Sequence, residues 1–159
     1  MENSDLERFQ EDIHEIENGL YLGSQIAAEN LELLQSLGIK NIVQVLEYQS
    51  DITFPGITYH FVQINDLESE NMIPLLPEAL KFISSSLLSG QKVLVHCAAG
   101  RSRSATIVIA YIMAKHRLNF EQAHNLVQSR RLCIYPNFGF RRQLKQVGSD
   151  LLSTYLIIN

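Results

Sequence analysis

The stretch His96-Cys97-Ala98-Ala99-Gly100-Arg101-Ser102-Arg103-Ser104 gathers the residue types needed to attack a phosphate ester. It follows the short apolar run 92–96 and precedes the almost wholly apolar stretch 104–116. A strand, a tight loop and a helix N-terminus in that order bring successive backbone N–H groups round one point, which suits an anion. Gly100 allows a turn that a side chain would obstruct. Arg103 offers a planar fork of donors that can hold two phosphate oxygens together. A cysteine in such positive surroundings reacts as the thiolate, the nucleophilic form of the residue. For a lone cysteine and arginine at this spacing, the simpler reading is a buried thiol at a strand end with solvated arginines nearby. With His96, Gly100 and Ser104 also specified, and strand and helix on either side, the nucleophilic reading is far ahead.

The elements that must hold this loop can be read from pattern. Residues 92–96 form a central strand, because the run is short and continuously apolar. Residues 104–116 form a buried helix with almost no polar face. Upstream, 19–23 is a short strand bracketed by Gly19 and Gly23, and 27–37 is a helix with Gly38 at its C-cap. The run 39–46 is a buried strand, and 57–64 is another after the Pro55-Gly56 turn. Pro74 and Pro77 mark a helix start, with Leu80, Ile83, Leu87 and Leu88 as its apolar face and Gly90 as its stop. Asn119 caps a helix to residue 130, and a last helix covers 138–152. Residues 1–16 are polar and acidic, a loosely attached lead-in or short helix. Strands alternating with helices give an α/β architecture, a central mixed, mostly parallel sheet flanked by helices. Most helices fall in the second half, so the sandwich should be lopsided.

With 159 residues, 46% of them hydrophobic and 19% charged, one folded domain is expected and no disulfide or metal is needed to hold it. Two cysteines give neither a disulfide framework nor a zinc site. The net charge of −4 argues against a nucleic-acid partner. The longest apolar run, 107–114, is too short to cross a bilayer, and neither a secretory signal nor a lipidation motif is expected. These features point to the cytoplasm, with the nucleus as the alternative; they set no oligomeric state.

The motif His-Cys-Ala-Ala-Gly-Arg-Ser-Arg-Ser-Ala-Thr, residues 96–106, resembles the signature of the cysteine-dependent dual-specificity protein phosphatases. Gly19-Leu20-Tyr21-Leu22-Gly23-Ser24 resembles the family's opening strand, and Pro136-Asn137-Phe138-Gly139-Phe140 its late helix start. The likeness runs from about residue 15 to about residue 153, nearly the whole chain. It implies a polar lead-in over 1–15, a catalytic domain over 16–153 and a tail over 154–159. It also implies a small atypical member, with no room for the N-terminal docking domain of mitogen-activated kinase phosphatases.

By this resemblance Cys97 attacks phosphorus and becomes a phosphocysteine. The backbone amides of Ala98, Ala99, Gly100, Arg101, Ser102 and Arg103, with the Arg103 guanidinium, hold the phosphate oxygens. Ser104 hydrogen-bonds the sulfur as it leaves the intermediate. His96 is buried, ordering the loop and tuning the nucleophile. The general acid is an aspartate after an upstream strand, a position that Asp66 fits, with Glu68 and Glu70 as fallback acids. Asn137 props the loop by hydrogen bonding. No cofactor and no metal are implied, and His14, His60, His116 and His124 show no ligand spacing among themselves.

Cys133 reads as a small buried or half-buried residue, a resolving thiol for Cys97 being the less favoured role. Arg101, Arg130-Arg131 and Arg141-Arg142 could form a basic rim that steers phosphorylated substrates; Arg130-Arg131 reads better as a solvated helix end. The expected partner is a phosphorylated protein, carrying phosphotyrosine or phosphoserine/threonine. A phosphoinositide or an RNA 5′-phosphate is the alternative substrate, though Ala98 and Ala99 stand where such relatives often carry lysines. A non-catalytic phosphoprotein-binding module would be expected to lack the nucleophile, and a nucleotide-binding ATPase would need a Gly-x4-Gly-Lys-Ser/Thr loop that the chain lacks.

Overall fold

The computed structural model describes residues 12–157. Its centre is a five-stranded sheet of order β1-β2-β5-β3-β4. The strands are β1 (Ile13–Glu17), β2 (Leu20–Gly23), β3 (Ile39–Leu46), β4 (Thr58–Gln63) and β5 (Lys92–His96). β2, β5, β3 and β4 are parallel, and β1 alone runs antiparallel, on β2. The expected mixed, mostly parallel α/β fold is therefore found.

β1 corrects the reading of residues 1–16 as a lead-in or short helix over its described part. It enters the sheet through the Asn18-Gly19 turn, where Gly19 has φ 86°, a conformation that glycine adopts without strain. The strand pattern is hidden because its two buried side chains serve different cores, Ile13 the smaller and Ile16 the larger. Three residues apart, they lie on opposite faces of the strand, so neither face shows an apolar stripe.

Side chains alternate across the central strands. Leu20, Leu22, Val43, Val45, Val93 and Val95 face the larger core, whereas Tyr21, Ile39, Ile42 and Leu94 face the smaller one. The smaller core is covered by α1 (Gln25–Ala28) and α2 (Leu31–Leu37). These two replace the single helix expected over 27–37. Asn30 interrupts it by turning its side chain back to accept from the Leu33 N–H, which caps α2. Gly38 is the left-handed C-cap of α2, as expected.

The larger core is covered by α3 (Leu76–Leu88), α4 (Arg103–His116), α5 (Phe120–Arg130) and α6 (Phe138–Ser153). A single 3-10 turn, Ile73–Leu75, leads into α3. α3 buries Leu76, Ala79, Leu80 and Ile83, but Leu88, expected on that face, is exposed. α4 is buried without interruption from Arg103 to Ala114, which explains its lack of a polar face. Each of its fully buried Ile and Val side chains contributes roughly 1.5–3 kcal/mol. This helix is thus a fixed post, and its first residue is part of the phosphate-type loop. Because β3, β4 and β5 are parallel, their C-terminal ends lie on one edge of the sheet. There Glu47, Ile64 and Cys97 come together, the usual place for a ligand in such a sheet.

Candidate active site

Cys97 leaves the end of β5 and is buried, at 3% exposure. Its Sγ lies 3.0 Å from Ser104 Oγ in the first turn of α4 and accepts from the Gly100 N–H at 3.3 Å. Between them the backbone of 97–102 circles round. Each carbonyl on this circuit is held by the surrounding scaffold. The Cys97 carbonyl accepts from His96 Nδ1 at 3.1 Å. The Ala98 carbonyl accepts from Gln25 N–H at 3.0 Å, and the Arg101 carbonyl from Tyr135 N–H at 2.6 Å. Arg131 takes the two between, Ala99 O from Nη2 at 3.1 Å and Gly100 O from Nε at 2.9 Å. Ser102 O accepts from Thr106 N–H at 2.9 Å and from its hydroxyl at 2.7 Å. In a trans peptide the N–H points away from the C=O. Carbonyls fixed outward therefore aim the loop's N–H groups inward, toward the sulfur side. That is a preorganised anion hole.

Gly100 has φ 68°, and a Cβ there would fall 2.5 Å from Gly23 O and 2.8 Å from Arg131 Nη2. Glycine is thus required for both conformation and space. Arg103 is 8% exposed; its Nη1 donates to Ile64 O at 3.2 Å and stands 3.9 Å from Glu47 Oε1. The ends of β3 and β4 hold its fork beside the loop. A cleft of about 430 Å3 opens there, lined by Glu47, Tyr48, Ile52, Ala98 and Arg103 among others.

Asp66 sits on the exposed segment after β4. Its Oδ1 accepts from Ser102 Oγ at 2.6 Å and from Asn137 Nδ2 at 2.9 Å. The Asn137 N–H donates to Ser102 Oγ at 3.0 Å, and its side-chain oxygen caps α6 through Phe140 N–H at 2.9 Å. One asparagine thereby ties loop, carboxylate and helix together. Gly139 allows the close approach, since a Cβ there would lie 2.1 Å from Glu68 O. Glu70, the other fallback acid, instead accepts from Asn65 N–H at 3.4 Å. His96 is 1% exposed, and burial, opposed by its bond to the Cys97 carbonyl and by Glu29, pulls its pKa down to about 4. The ring is neutral at physiological pH.

The model of the dual specificity phosphatase catalytic domain matches residues 20–150. This chain belongs to that family. It is 38% identical over 140 residues to dual specificity protein phosphatase 1B of Arabidopsis thaliana, covering 88% of this chain and 84% of that protein. Among solved structures it resembles DUSP15, with a TM-score of 0.86 and 31% identity over 91% of this chain and 95% of that one. It also resembles the human tyrosine phosphatase-like serine/threonine/tyrosine-interacting protein, with a TM-score of 0.79 and 39% identity, covering 86% and 95%.

In this phosphatase-family chain the structure brings Cys97, Gly100, Ser102, Arg103, Ser104, Asp66, Asn137 and His96 to one place. Arg101 is exposed, its Nε donating to Cys133 O at 3.1 Å. Two readings need correction. Cys133 is exposed, not buried or half-buried: it lies in the turn just after α5, whose backbone is met by the exposed Arg101. Arg131 is no solvated helix end: it is 1% exposed and lies behind the loop, while Arg130 does face solvent. The chain leaves helical geometry at Arg131 (φ −135°, ψ 98°), which turns the side chain inward. No local sequence pattern separates it from its exposed neighbour. On the outer rim Arg141 donates from Nε to Pro136 O at 2.8 Å, and its guanidinium lies 4.8 Å from the Tyr135 ring centre. Arg142 is exposed.

Proposed function

We propose that this domain hydrolyses phosphate monoesters on phosphotyrosine and phosphoserine/threonine proteins through a phosphocysteine at Cys97. The observation that carries the reading is a cysteine sulfur that accepts from the Gly100 N–H in a loop whose carbonyls are held from outside, with a carboxylate tied to that loop. The Cys97 thiolate attacks phosphorus in line, forming the S–P bond as the ester P–O bond breaks. Asp66 gives its proton to the departing oxygen. The loop amides and the Arg103 fork hold the equatorial oxygens throughout. Water then attacks phosphorus, Asp66 takes its proton, and the S–P bond breaks to release inorganic phosphate. The Ser104 hydroxyl donates to the sulfur as it departs. Oδ1 of Asp66 is occupied by Ser102 and Asn137, which leaves Oδ2 to carry the proton.

The expected partner is a phosphorylated protein, not a nucleic acid, in keeping with the net charge of −4. No helix among the described residues is long and apolar enough to cross a membrane. A cysteine nucleophile works best where thiols stay reduced, which favours the cytoplasm or nucleus. A phosphoprotein-binding module is the second reading, favoured by likeness to a relative described as phosphatase-like and interacting. Phosphate release from p-nitrophenyl phosphate under reducing conditions separates the two. Turnover by the native chain and none by Cys97→Ser supports the enzyme, and no turnover by folded, reduced native protein supports the module.

A further inference from the structure

Arg131 lies outside the chemistry described above, yet it is among the largest fully buried side chains. A buried guanidinium must be desolvated, which is costly unless its donors are used. Two of its groups hold the loop, Nε on Gly100 O and Nη2 on Ala99 O, while Nη1 donates to His14 Nδ1 of β1 at 2.8 Å. The Ala99 carbonyl and the Gly100 N–H belong to the same peptide plane. That N–H is the one donating to Cys97 Sγ. The Gly100 carbonyl likewise shares its plane with the Arg101 N–H. Arg131 thus grips two consecutive peptide planes from behind, and the front of each faces the sulfur side.

We propose that Arg131 is a positioning residue for the anion hole: its fork fixes the Ala99–Gly100 and Gly100–Arg101 peptide planes so that their N–H groups meet the phosphate oxygens. This deepens the phosphatase reading and rests on it. Two features make the fork specific. Both carbonyls need separate donors at fixed spacing, which a guanidinium supplies and an ammonium does not. The fit is also reciprocal, since a Cβ on Gly100 would strike Nη2. A plane freed from Arg131 can rotate, and a flipped peptide would present a carbonyl, not an N–H, to the anion. His14 completes the grip by accepting from Nη1, and burial, reinforced by the Arg131 charge, lowers its pKa and keeps it a neutral acceptor.

The test uses tungstate, a phosphate-like oxyanion, and measures its equilibrium dissociation constant by calorimetry beside kcat and KM for p-nitrophenyl phosphate. The variants are Arg131→Lys, which keeps the charge but loses the fork, and Arg131→Met, which keeps only the bulk. Both should bind tungstate at least tenfold more weakly while folded, with kcat/KM falling in step and Lys giving little rescue. A merely structural arginine would lower the melting temperature and leave the tungstate affinity of the folded fraction unchanged. Affinity within twofold of wild type in either folded variant overturns the proposal. If neither variant folds, the wild-type chain decides through its Arg131 Nε–H and Gly100 N–H resonances. Nε–H protected from exchange, with both signals shifting together on tungstate binding, supports the grip; an unprotected Nε–H, or signals that do not shift together, overturns it. A wild-type chain that neither binds tungstate nor turns over substrate would instead count against the phosphatase reading itself.

Discussion

Ser102 Oγ donates to Asp66 Oδ1 across 2.6 Å, and so joins the loop around Cys97 to the segment that carries Asp66, the proposed general acid. The two residues come from opposite ends of the molecule's logic, one preceding the buried helix α4 and the other following β4. Asn137 closes the triangle by donating to both partners, from its backbone to Ser102 and from its side chain to Asp66. An exposed carboxylate on a connecting segment is thereby fixed relative to the sulfur. Ser102→Ala removes one donor to Asp66 and the acceptor for the Asn137 N–H. Losing a hydrogen bond to a charged group costs about 1.5–3 kcal/mol. Hydrolysis of alkyl phosphates by Ser102→Ala should slow about tenfold or more, while the tungstate dissociation constant changes little. An unchanged rate would mean that Asp66 is positioned by Asn137 alone.

Asp66→Asn keeps the shape and the acceptor oxygen that Ser102 uses, and replaces the oxygen that would carry the proton by an amide nitrogen that neither gives nor takes one. The effect on kcat/KM should depend on the leaving group, because this parameter reports the steps up to transfer of phosphate to sulfur. Poor leaving groups such as alkyl phosphates should lose about 100-fold or more, and strongly acidic phenols much less. A plot of log kcat/KM against leaving-group acidity should steepen in the variant. Equal losses across the series would remove Asp66 from the role of acid and turn attention to Glu68 and Glu70.

The same contacts explain which parts of the molecule were legible in the sequence. The catalytic-type loop was legible because its residues are consecutive, and β5 and α4 declare themselves by continuous apolar runs. Hidden features depend on contacts between distant segments. β1 stays hidden because its two buried residues, Ile13 and Ile16, face different cores and leave no single apolar face to read. The helix over 27–37 proved to be two because an asparagine, tolerable inside a helix by pattern, is used as a cap. Arg131 sits beside Arg130 and differs only in the backbone turn that sends it under the loop. Cys133, small and apolar by type, is exposed because it falls in the turn after α5 and not on a packed face. Asp66 became a candidate only through family resemblance, since a lone aspartate after a strand reads equally well as a turn.

Burial of His96 sets a pH dependence of folding. Its pKa falls from 6.5 to about 4 on folding, chiefly by burial. The unfolded chain therefore binds the extra proton between these values, and the folded chain does not. Stability is full above pH 6.5 and declines as pH falls toward 4. From pH 7.5 to pH 5 the loss should be about 2 kcal/mol from this group. His14, His60 and His124 are also lowered, burial leading in each case, and act in the same direction. Urea midpoints measured across this range should drop with acid in the native chain and drop less in His96→Gln. An equal slope in both would show that His96 is protonated while folded.

Glycines of the same backbone class separate conformational strain from crowding. Gly56 and Gly100 both have positive φ, but a Cβ at Gly56 meets nothing within 4 Å, whereas at Gly100 it meets Gly23 O at 2.5 Å and Arg131 Nη2 at 2.8 Å. Gly56→Ala should therefore cost about 1 kcal/mol of stability, the strain of a left-handed residue, and leave turnover intact. Gly100→Ala adds displacement of the β2 end and of the Arg131 fork, the two features that set the loop's curvature. It should cost more stability than Gly56→Ala and abolish measurable tungstate binding along with turnover. Chemical denaturation and calorimetry on the pair check both halves. If Gly100→Ala loses stability but binds tungstate normally, the loop tolerates movement of its rear wall, and the inward set of its N–H groups depends on the Gln25 and Tyr135 contacts instead.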